Sequence, residues 1–304
     1  MNGQTFQGSE NRHAERNERL IEVTILDGSP ASEAWLLLPR PIDDWTQRFS
    51  GVELGAVAQV HEICALNSRQ HAYLVKPAGT QAPTVRYRLA PPIEAPADWI
   101  WQLEDNRYTR ASAELASMAV QLLEKDSSQR RIVGRLVEHT AGLFGYDHPE
   151  ERFNHGLEEV PALCGTTKGS CVDINTYLIA AARSLGITVQ YMAGYWFHPE
   201  RSETHDMHCW LAFRLDGEAV FWDLAHHLKW GVPTLSPGLN PAGGRRVTMS
   251  CGRGNRFDTP NGQVEISHFS EPAWVLPGGV TRRPQLRIRI TEAGLLRMPE
   301  WDPS

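Results

Sequence analysis

Long apolar runs and an excess of positive charge are both missing from this 304-residue chain. No run of about 18 apolar residues occurs, so we expect no membrane partner. The net charge of −6 gives no reason to expect a nucleic-acid partner. Residues 1–19 are polar and have no apolar region of the kind found in secretory signals. We therefore expect a disordered leader over residues 1–19 and a cytoplasmic location.

Cysteine is present but follows no familiar pattern. The cysteines are Cys64, Cys164, Cys171, Cys209 and Cys251. An odd number of cysteines, widely spread and without a CxxC pair, disfavours both a disulfide scaffold and a cysteine-rich zinc module. No glycine-rich phosphate loop follows a predicted strand, and no cofactor is predicted.

Short alternating strands dominate the first third of the chain. The predicted strands cover residues 21–25, 35–38, 72–75 and 85–89. Because turn residues separate them, we expect a small β-sandwich-like region over residues 20–96, which ends in the proline-rich connector 91–96. Residues 97–304 are predicted to form a larger catalytic domain.

The larger domain begins with two amphipathic helices. They are marked by apolar residues over 115–123 and 132–143, and Ser127 or Ser128 is the N-cap of the second. Beyond residue 231, strands are predicted at 247–251, 264–269 and 286–290. The sequence leaves open whether these strands extend the main sheet or return to the N-terminal β layer.

A capped amphipathic helix is predicted to begin at Cys171. Ser170 is in the N-cap position, and Asp173 follows three residues later in the Asp form of a capping box. Gly186 suits a left-handed stop at the other end. The N–H groups and dipole of the first turn would stabilise a Cys171 thiolate, and they could also stabilise an oxyanion. A buried structural cysteine is the alternative interpretation.

Residues 208–223 give the clearest hairpin signal, with Asp216-Gly217 as a two-residue turn. In the register of that turn, His208 and Trp210 point to the same side and Asp223 lies diagonally opposite His208. Diagonal neighbours are close enough for an imidazole to contact a carboxylate. A three- or five-residue loop would place the pair on opposite faces.

A thiol at a helix start and a His–Asp pair on a hairpin are the parts of a thiol acyl-transfer site. His208 would deprotonate Cys171 and later protonate the leaving amine, while Asp223 would hold the imidazole tautomer and stabilise its cation. Trp210, which shares the face of His208, and Ser170 are predicted to line the cleft.

Three blocks of this sequence resemble the transglutaminase-like superfamily. They are Gly169–Asp173 with Leu185-Gly186-Ile187 and Ala193-Gly194-Tyr195, then His208-Cys209-Trp210, then Trp222-Asp223. The likeness covers most of residues 20–230, including the β region that some bacterial members carry at the N-terminus. The resemblance implies an α+β, papain-like core, in which a helix carrying the cysteine packs on an antiparallel sheet. It also implies that a thioester acyl-enzyme forms on Cys171, with His208 as base and Asp223 as orienting acid.

The chain departs from the family pattern in three places. Cys209 stands where a small residue such as Ala is usual, and Ala212 stands where an acidic residue is common. Residues 164–168, before the cysteine helix, contain no evident side-chain oxyanion donor. These departures concern the substrate class more than the catalytic residues.

The sequence therefore predicts a thiol-dependent amide hydrolase or acyltransferase: a peptidase, amidase, deamidase or transamidase acting on a peptide, protein or other amide. Hydrolysis is favoured over transamidation because water is the default acceptor and no second amine pocket is evident. A non-catalytic protein-binding module with the same fold is the alternative. The sequence leaves the oligomeric state open.

A metal protein is a third alternative, and no metal site is predicted. The ligand-type residues are His205, His208, Cys209, His226 and His227. Their spacing matches neither a zinc-protease helix nor a zinc ribbon. His226 and His227 are interpreted as surface or supporting residues at the end of the hairpin strand.

Overall fold

The computed structural model describes residues 18–79, 83–123, 128–205, 207–238, 241 and 243–292. The strands are β1 Arg19–Ile25, β2 Trp35–Pro39, β3 Arg48–Leu54, β4 Val57–Cys64, β5 His71–Pro77, β6 Thr84–Ala90, β7 Phe144–Tyr146, β8 Thr167–Gly169, β9 Val189–Phe197, β10 Glu203–Thr204, β11 Met207–Leu215, β12 Glu218–Trp222, β13 Arg245–Cys251, β14 Asn255–Thr259, β15 Gly262–Ile266, β16 Ala273–Leu276, β17 Val280–Arg282 and β18 Leu286–Glu292. The helices are α1 Ala113–Gln121, α2 Gln129–Leu143, α3 Cys171–Ser184 and α4 Leu224–Trp230, and Asp98–Trp101 forms a 3-10 turn. The predicted leader lies outside the described residues except for its last two.

Two five-stranded sheets share an apolar core in the N-terminal region, as the sequence predicted. Their strand orders are β10-β18-β1-β6-β3 and β17-β16-β2-β5-β4. Inward-facing residues such as Ile21, Val23 and Leu36 are fully buried between them. The strands β3 and β4, which were not predicted, lie at the edges of these sheets and are only partly buried. Edge strands commonly carry polar residues, which weakens the alternation that sequence analysis detects.

The sequence left open whether the C-terminal strands extend the main sheet or return to the N-terminal β layer. The structure shows that different C-terminal strands do each of these. The strand β13 pairs with β9 and extends the main sheet, while β18 pairs with β1 and β16 pairs with β2. The two sandwich sheets therefore contain strands from both ends of the chain. The predicted domain boundary near residue 96 stays a prediction.

The main sheet has the order β12-β11-β9-β13 and is antiparallel throughout. The helix α3 packs on it, and twelve of the fourteen residues of α3 are buried. This arrangement confirms the predicted α+β core, with the cysteine helix on an antiparallel sheet. Within the described residues, no helix combines the length and the apolar character that a membrane crossing requires.

Candidate active site

The first turn of α3 is held by the predicted capping box. Ser170 Oγ accepts a hydrogen bond from the N–H of Val172 at 3.2 Å, and Asp173 Oδ2 accepts one from the N–H of Ser170 at 2.9 Å. Arg152 donates to Asp173 Oδ2 at 2.5 Å and offsets its buried charge. These contacts fix Cys171 at the first helical position, where its side chain is almost wholly buried, with 3% of the residue exposed.

The hairpin has the predicted two-residue turn. Asp216 and Gly217 both have left-handed backbone angles, with φ of 55° and 83°, and Leu215 pairs with Glu218. The ladder continues to the pair of Leu211 and Trp222. That register brings His208 and Asp223 together, and His208 Nε2 lies 2.8 Å from Asp223 Oδ2.

The chain leaves the ladder immediately after the hairpin, and this corrects one expectation. Asp223 is the N-cap of α4, because its Oδ1 accepts a hydrogen bond from the N–H of His226 at 3.1 Å. The unpredicted helix turns His226 and His227 inward, so both are buried, with 2% exposure each. Of the two interpretations of these histidines, the surface position was therefore wrong, and the supporting position fits His226, which lies against His208 and Asp223. The His226 ring stacks on the His208 ring at a centroid distance of 3.9 Å.

A buried arginine is the part of the site that sequence analysis missed. Arg246 lies on β13, and its Nη2 donates to Asp223 Oδ2 and contacts His226 Nδ1 at 3.0 Å. The pattern around Arg246 reads as an ordinary strand, and only the pairing of β13 with β9 brings it to the site.

The same neighbourhood contains ligand-type atoms, because His208, Asp223 and His226 offer nitrogen and oxygen atoms within 4.8 Å of one another. A metal ion there would have to share a carboxylate oxygen and a ring nitrogen with the guanidinium of Arg246. Repulsion between the two cations disfavours such a site.

The ionisation of Asp223 determines the tautomer of His208. Burial opposes a charge on Asp223, but the charge and hydrogen bond of His208 and the charge of Arg246 outweigh burial and lower the pKa of this carboxyl. An ionised carboxylate can only accept hydrogen bonds. The proton between the two groups therefore lies on His208 Nε2, which leaves Nδ1 as the ring nitrogen that is free to exchange a proton with a thiol.

Cys171 and His208 interact closely enough that each shifts the pKa of the other. Burial lowers the pKa of His208, but Asp223 and then Cys171 outweigh it and raise this pKa to about 9. A hydrogen bond with Cys209 is the largest influence on Cys171, and together with His208 it lowers the pKa of the Cys171 thiol well below its usual value, against the opposing effect of burial. The two shifts together favour a thiolate beside an imidazolium over a neutral thiol beside a neutral imidazole.

Cys209 lies beside the candidate nucleophile and remains a thiol. Burial, and then the contact with Cys171, raise the pKa of Cys209 well above its usual value. Asn175 Nδ2 donates to the Cys209 carbonyl at 3.0 Å and approaches its sulfur at 3.3 Å, which positions the thiol against Cys171. Cys209 was noted from the sequence as a departure from the family pattern and as a ligand-type residue, but not as a partner of Cys171.

The two residues predicted to line the cleft are both buried. Ser170 is 2% exposed and caps α3, while Trp210 is 1% exposed and lies 6.1 Å from the His208 ring. Trp210 lines a cavity of about 200 Å³ together with Arg246. A role for either residue in contacting substrate stays a prediction.

A larger cavity, of about 640 Å³, is lined by the chain neighbours of Cys171 and His208, although neither of these two residues lines it. Its lining includes Val172, which follows Cys171 in the chain, and Met207, which precedes His208. Because the cavity reaches a chain neighbour of each residue, we expect a substrate to approach the sulfur and the imidazole from this cavity.

Comparison with known proteins agrees with this architecture. Residues 116–223, which end at Asp223, match the family model described as the transglutaminase-like superfamily. A crystal structure from Cytophaga hutchinsonii, described as a candidate cysteine protease, is similar with 14% identity over 94% of each chain and a TM-score of 0.56. That likeness shows a shared fold.

The periplasmic domain of TgpA from Pseudomonas aeruginosa, bound to ethylmercury, is a more distant neighbour. It is 13% identical over 72% of this chain and 94% of that chain, with a TM-score of 0.39, which is too low to support an argument. A search of the curated proteins found no match.

Proposed function

Because the chain contains a transglutaminase-like core over residues 116–223, we propose that it is a thiol-dependent enzyme acting on amide bonds. Cys171 is the proposed nucleophile, His208 the base and acid, and Asp223 the group that orients the imidazole. The observation that carries the proposal is the hydrogen-bonded His208–Asp223 pair, together with the mutual influence of His208 and Cys171, which lowers the thiol pKa and raises the imidazole pKa.

The chemistry follows from the ion pair. The Cys171 thiolate attacks the carbonyl carbon of the amide, and the carbonyl electrons move onto oxygen. Cys171 lies at the positive end of the α3 dipole, which would stabilise the developing negative charge. The His208 imidazolium then gives its proton to the leaving nitrogen as the C–N bond breaks, which leaves a thioester on Cys171. His208, now neutral, takes a proton from water or an amine that attacks the thioester. The C–S bond then breaks, which releases the acid or the new amide and returns the Cys171 thiolate beside the His208 imidazolium.

Hydrolysis is the preferred second half of this reaction. Water is present at high concentration, whereas transamidation needs a place to hold an amine. The proposed substrate is accordingly a peptide, protein or other amide. A cytoplasmic location is part of the proposal, and it fits a chain whose five cysteines are all free.

The alternative, a binding module without activity, is favoured by one observation. Cys171 is 3% exposed and His208 is 3% exposed, so little of either side chain reaches the surface. A binding module, however, has no need for a thiol of lowered pKa beside an oriented imidazole. We therefore prefer the enzyme.

Acylation by p-nitrophenyl acetate tests the proposal. After an acid quench, mass spectrometry of the intact protein and its peptides should find one acetyl group on Cys171, removable with hydroxylamine. The adduct should be lost in Cys171→Ser and fall strongly in His208→Ala, while Cys164→Ser, which removes an exposed thiol, should behave like the wild type. Acetylation confined to the exposed thiols would favour the binding module.

The fate of the acetyl group separates the two reaction classes. Release in buffer alone indicates a hydrolase. Release that accelerates in proportion to an added primary amine, with the acetylated amine recovered, indicates an acyltransferase.

A further inference from the structure

Arginines outnumber carboxylates among the residues that line the 640 Å³ cavity, which reaches the chain neighbours of Cys171 and His208. Among the residues that line it, five are arginines and two are glutamates. The arginines are Arg107, Arg152, Arg253, Arg282 and Arg283. Cavities with one sign of charge attract ligands of the opposite sign, because their walls screen the field poorly.

Four of these arginines have carboxylate partners within the protein. Arg107 pairs with Glu265 at 2.5 Å, and Arg283 pairs with Glu271. The other two pairs are Arg152 with Asp173 at 2.5 Å and Arg282 with Asp27 at 3.7 Å.

Arg253 differs from the others, because no carboxylate among the described residues pairs with it. Its residue is 6% exposed, so the charge is largely removed from solvent. Nε donates to the Ser267 carbonyl at 3.0 Å, and Nη1 donates to the Thr176 hydroxyl. Burying a charge without a counter-charge costs free energy, and an anionic ligand that pairs with the guanidinium would reduce that cost.

Aromatic rings hold the Arg253 guanidinium in a fixed orientation. Its central carbon lies 4.4 Å from the centre of the Tyr108 ring and 5.3 Å from that of Tyr191. A guanidinium has five N–H donors in a planar fork that suits a carboxylate. The two protein contacts use two of these five donors, and Arg253 lines the cavity from which a ligand would approach the other three.

The position of Arg253 relative to the sulfur can be read along α3. Thr176, which Arg253 contacts, follows Cys171 by five residues, which is about 7.5 Å along a helix axis. An extended chain covers about 3.3–3.6 Å per residue. A group bound by Arg253 would therefore lie about two residues from the amide that reacts at Cys171.

We propose that the cavity binds an acidic substrate, and that Arg253 is the specificity residue that recognises its carboxylate. The inference rests on the proposed function and names the substrate class. It requires an Asp, a Glu or a terminal carboxylate within about two residues of the scissile amide.

Alkylating probes that differ by one carboxylate test the inference without a known substrate. Iodoacetyl-glutamic acid α-amide and iodoacetyl-glutamine amide both react when the Cys171 sulfur forms a C–S bond and iodide leaves. At low ionic strength we expect the acid to alkylate Cys171 about tenfold faster than the amide, because a charge-assisted hydrogen bond is among the stronger kinds. The lysine-amide analogue should be the slowest of the three, and added salt should reduce the differences.

Variants then assign the preference to one residue. Arg253→Gln should bring the acid-to-amide rate ratio close to one, and Arg253→Lys should retain part of it. Arg256→Gln is the matched control, since Arg256 lies close by on β14 but is exposed and does not line the cavity. If Arg253→Gln fails to fold, the three-probe comparison on the wild-type protein still decides the question.

The outcomes distinguish the inference from the proposed function. Alkylation of Cys171 by the neutral probe with no preference for the acid would overturn the acidic specificity and leave the thiol enzyme intact. Failure of every probe at Cys171 would count against both. An acid preference that persists in Arg253→Gln would show that another arginine of the cavity is responsible and would overturn the assignment.

Discussion

Replacing Cys209 with alanine should weaken the activation of Cys171. The hydrogen bond from Cys209 is the largest of the influences that lower the Cys171 pKa, and it is made by a buried thiol held by Asn175. Without this donor the thiolate loses one of its two hydrogen-bond partners. The pKa of Cys171 should then rise.

The expected change in the ionisation of Cys171 follows from the strength of the interaction with the Cys209 thiol. Hydrogen bonds to charged groups contribute about 1.5–3 kcal/mol, and an S–H is a weak donor, so the lower end applies. A loss of about 1.4 kcal/mol corresponds to about a tenfold smaller thiolate fraction on the acid side of the titration. A more basic thiolate is intrinsically more nucleophilic, which recovers part of the loss and leaves a decrease of about fourfold.

The assay is the rate of alkylation of Cys171 by iodoacetamide as a function of pH. Relative to wild type, Cys209→Ala should react about fourfold more slowly at acidic pH and about threefold faster once the thiol is fully ionised. The two profiles should therefore cross. Cys209→Ser, which keeps a hydroxyl donor, should retain the wild-type profile or move it to lower pH.

Cys251→Ala is the matched control, because Cys251 is equally buried but belongs to a different apolar cluster. It should leave the profile unchanged. Superimposable profiles for wild type and Cys209→Ala would refute the reasoning that Cys209 stabilises the thiolate.

Three further predictions concern the base, its titration and the sheet beneath it. Asp223→Asn should reduce the rate of acylation by p-nitrophenyl acetate by on the order of 10²–10⁴-fold, because the Asn side chain does not hold the catalytic tautomer of His208. An unchanged rate would show that Asp223 has no part in the mechanism. The rate of amide turnover should rise with pH through the lowered pKa of Cys171 and fall near pH 9, where His208 loses the proton that the leaving nitrogen needs. The rate of Cys171 alkylation, which needs no such proton, should show no fall at high pH. Gly194→Ala would place a Cβ 1.8 Å from a carbonyl oxygen of β13, so urea denaturation should show that the free energy of unfolding falls by at least about 1–3 kcal/mol. In the control Gly145→Ala, the new Cβ meets nothing within 4 Å, and the free energy of unfolding should not change.

The parts of the site that sequence analysis predicted are those set by local rules. The capping box of Ser170 and Asp173 and the left-handed Gly186, with φ of 73°, involve residues close in sequence. The turn at Asp216-Gly217 fixes a register that ends with Leu211 opposite Trp222, and Asp223, the next residue, then meets His208. Each of these features depends on short-range geometry that the sequence encodes directly.

The parts that sequence analysis missed depend on contacts between distant segments. Arg246 reaches Asp223 only because β13 returns to β9, and β13 was one of several strands whose destination was open. Arg253 reaches Thr176 by a similar long-range path across 77 residues. The helix α4 begins directly after its N-cap, Asp223. Because the sequence continues the strand pattern at this point, sequence analysis did not predict the helix.

The central claim is that Cys171 is an activated nucleophile, and competitive alkylation tests it most directly. The wild-type protein would be treated with a limiting amount of iodoacetamide at a pH of about 6, where ordinary thiols are protonated. Peptide mapping would then give the rate at each of the five cysteines. The account predicts that the buried Cys171 reacts faster than the exposed Cys64 and Cys164, and that His208→Ala removes this advantage. Rates that simply follow exposure, with Cys64 and Cys164 ahead of Cys171, would contradict it.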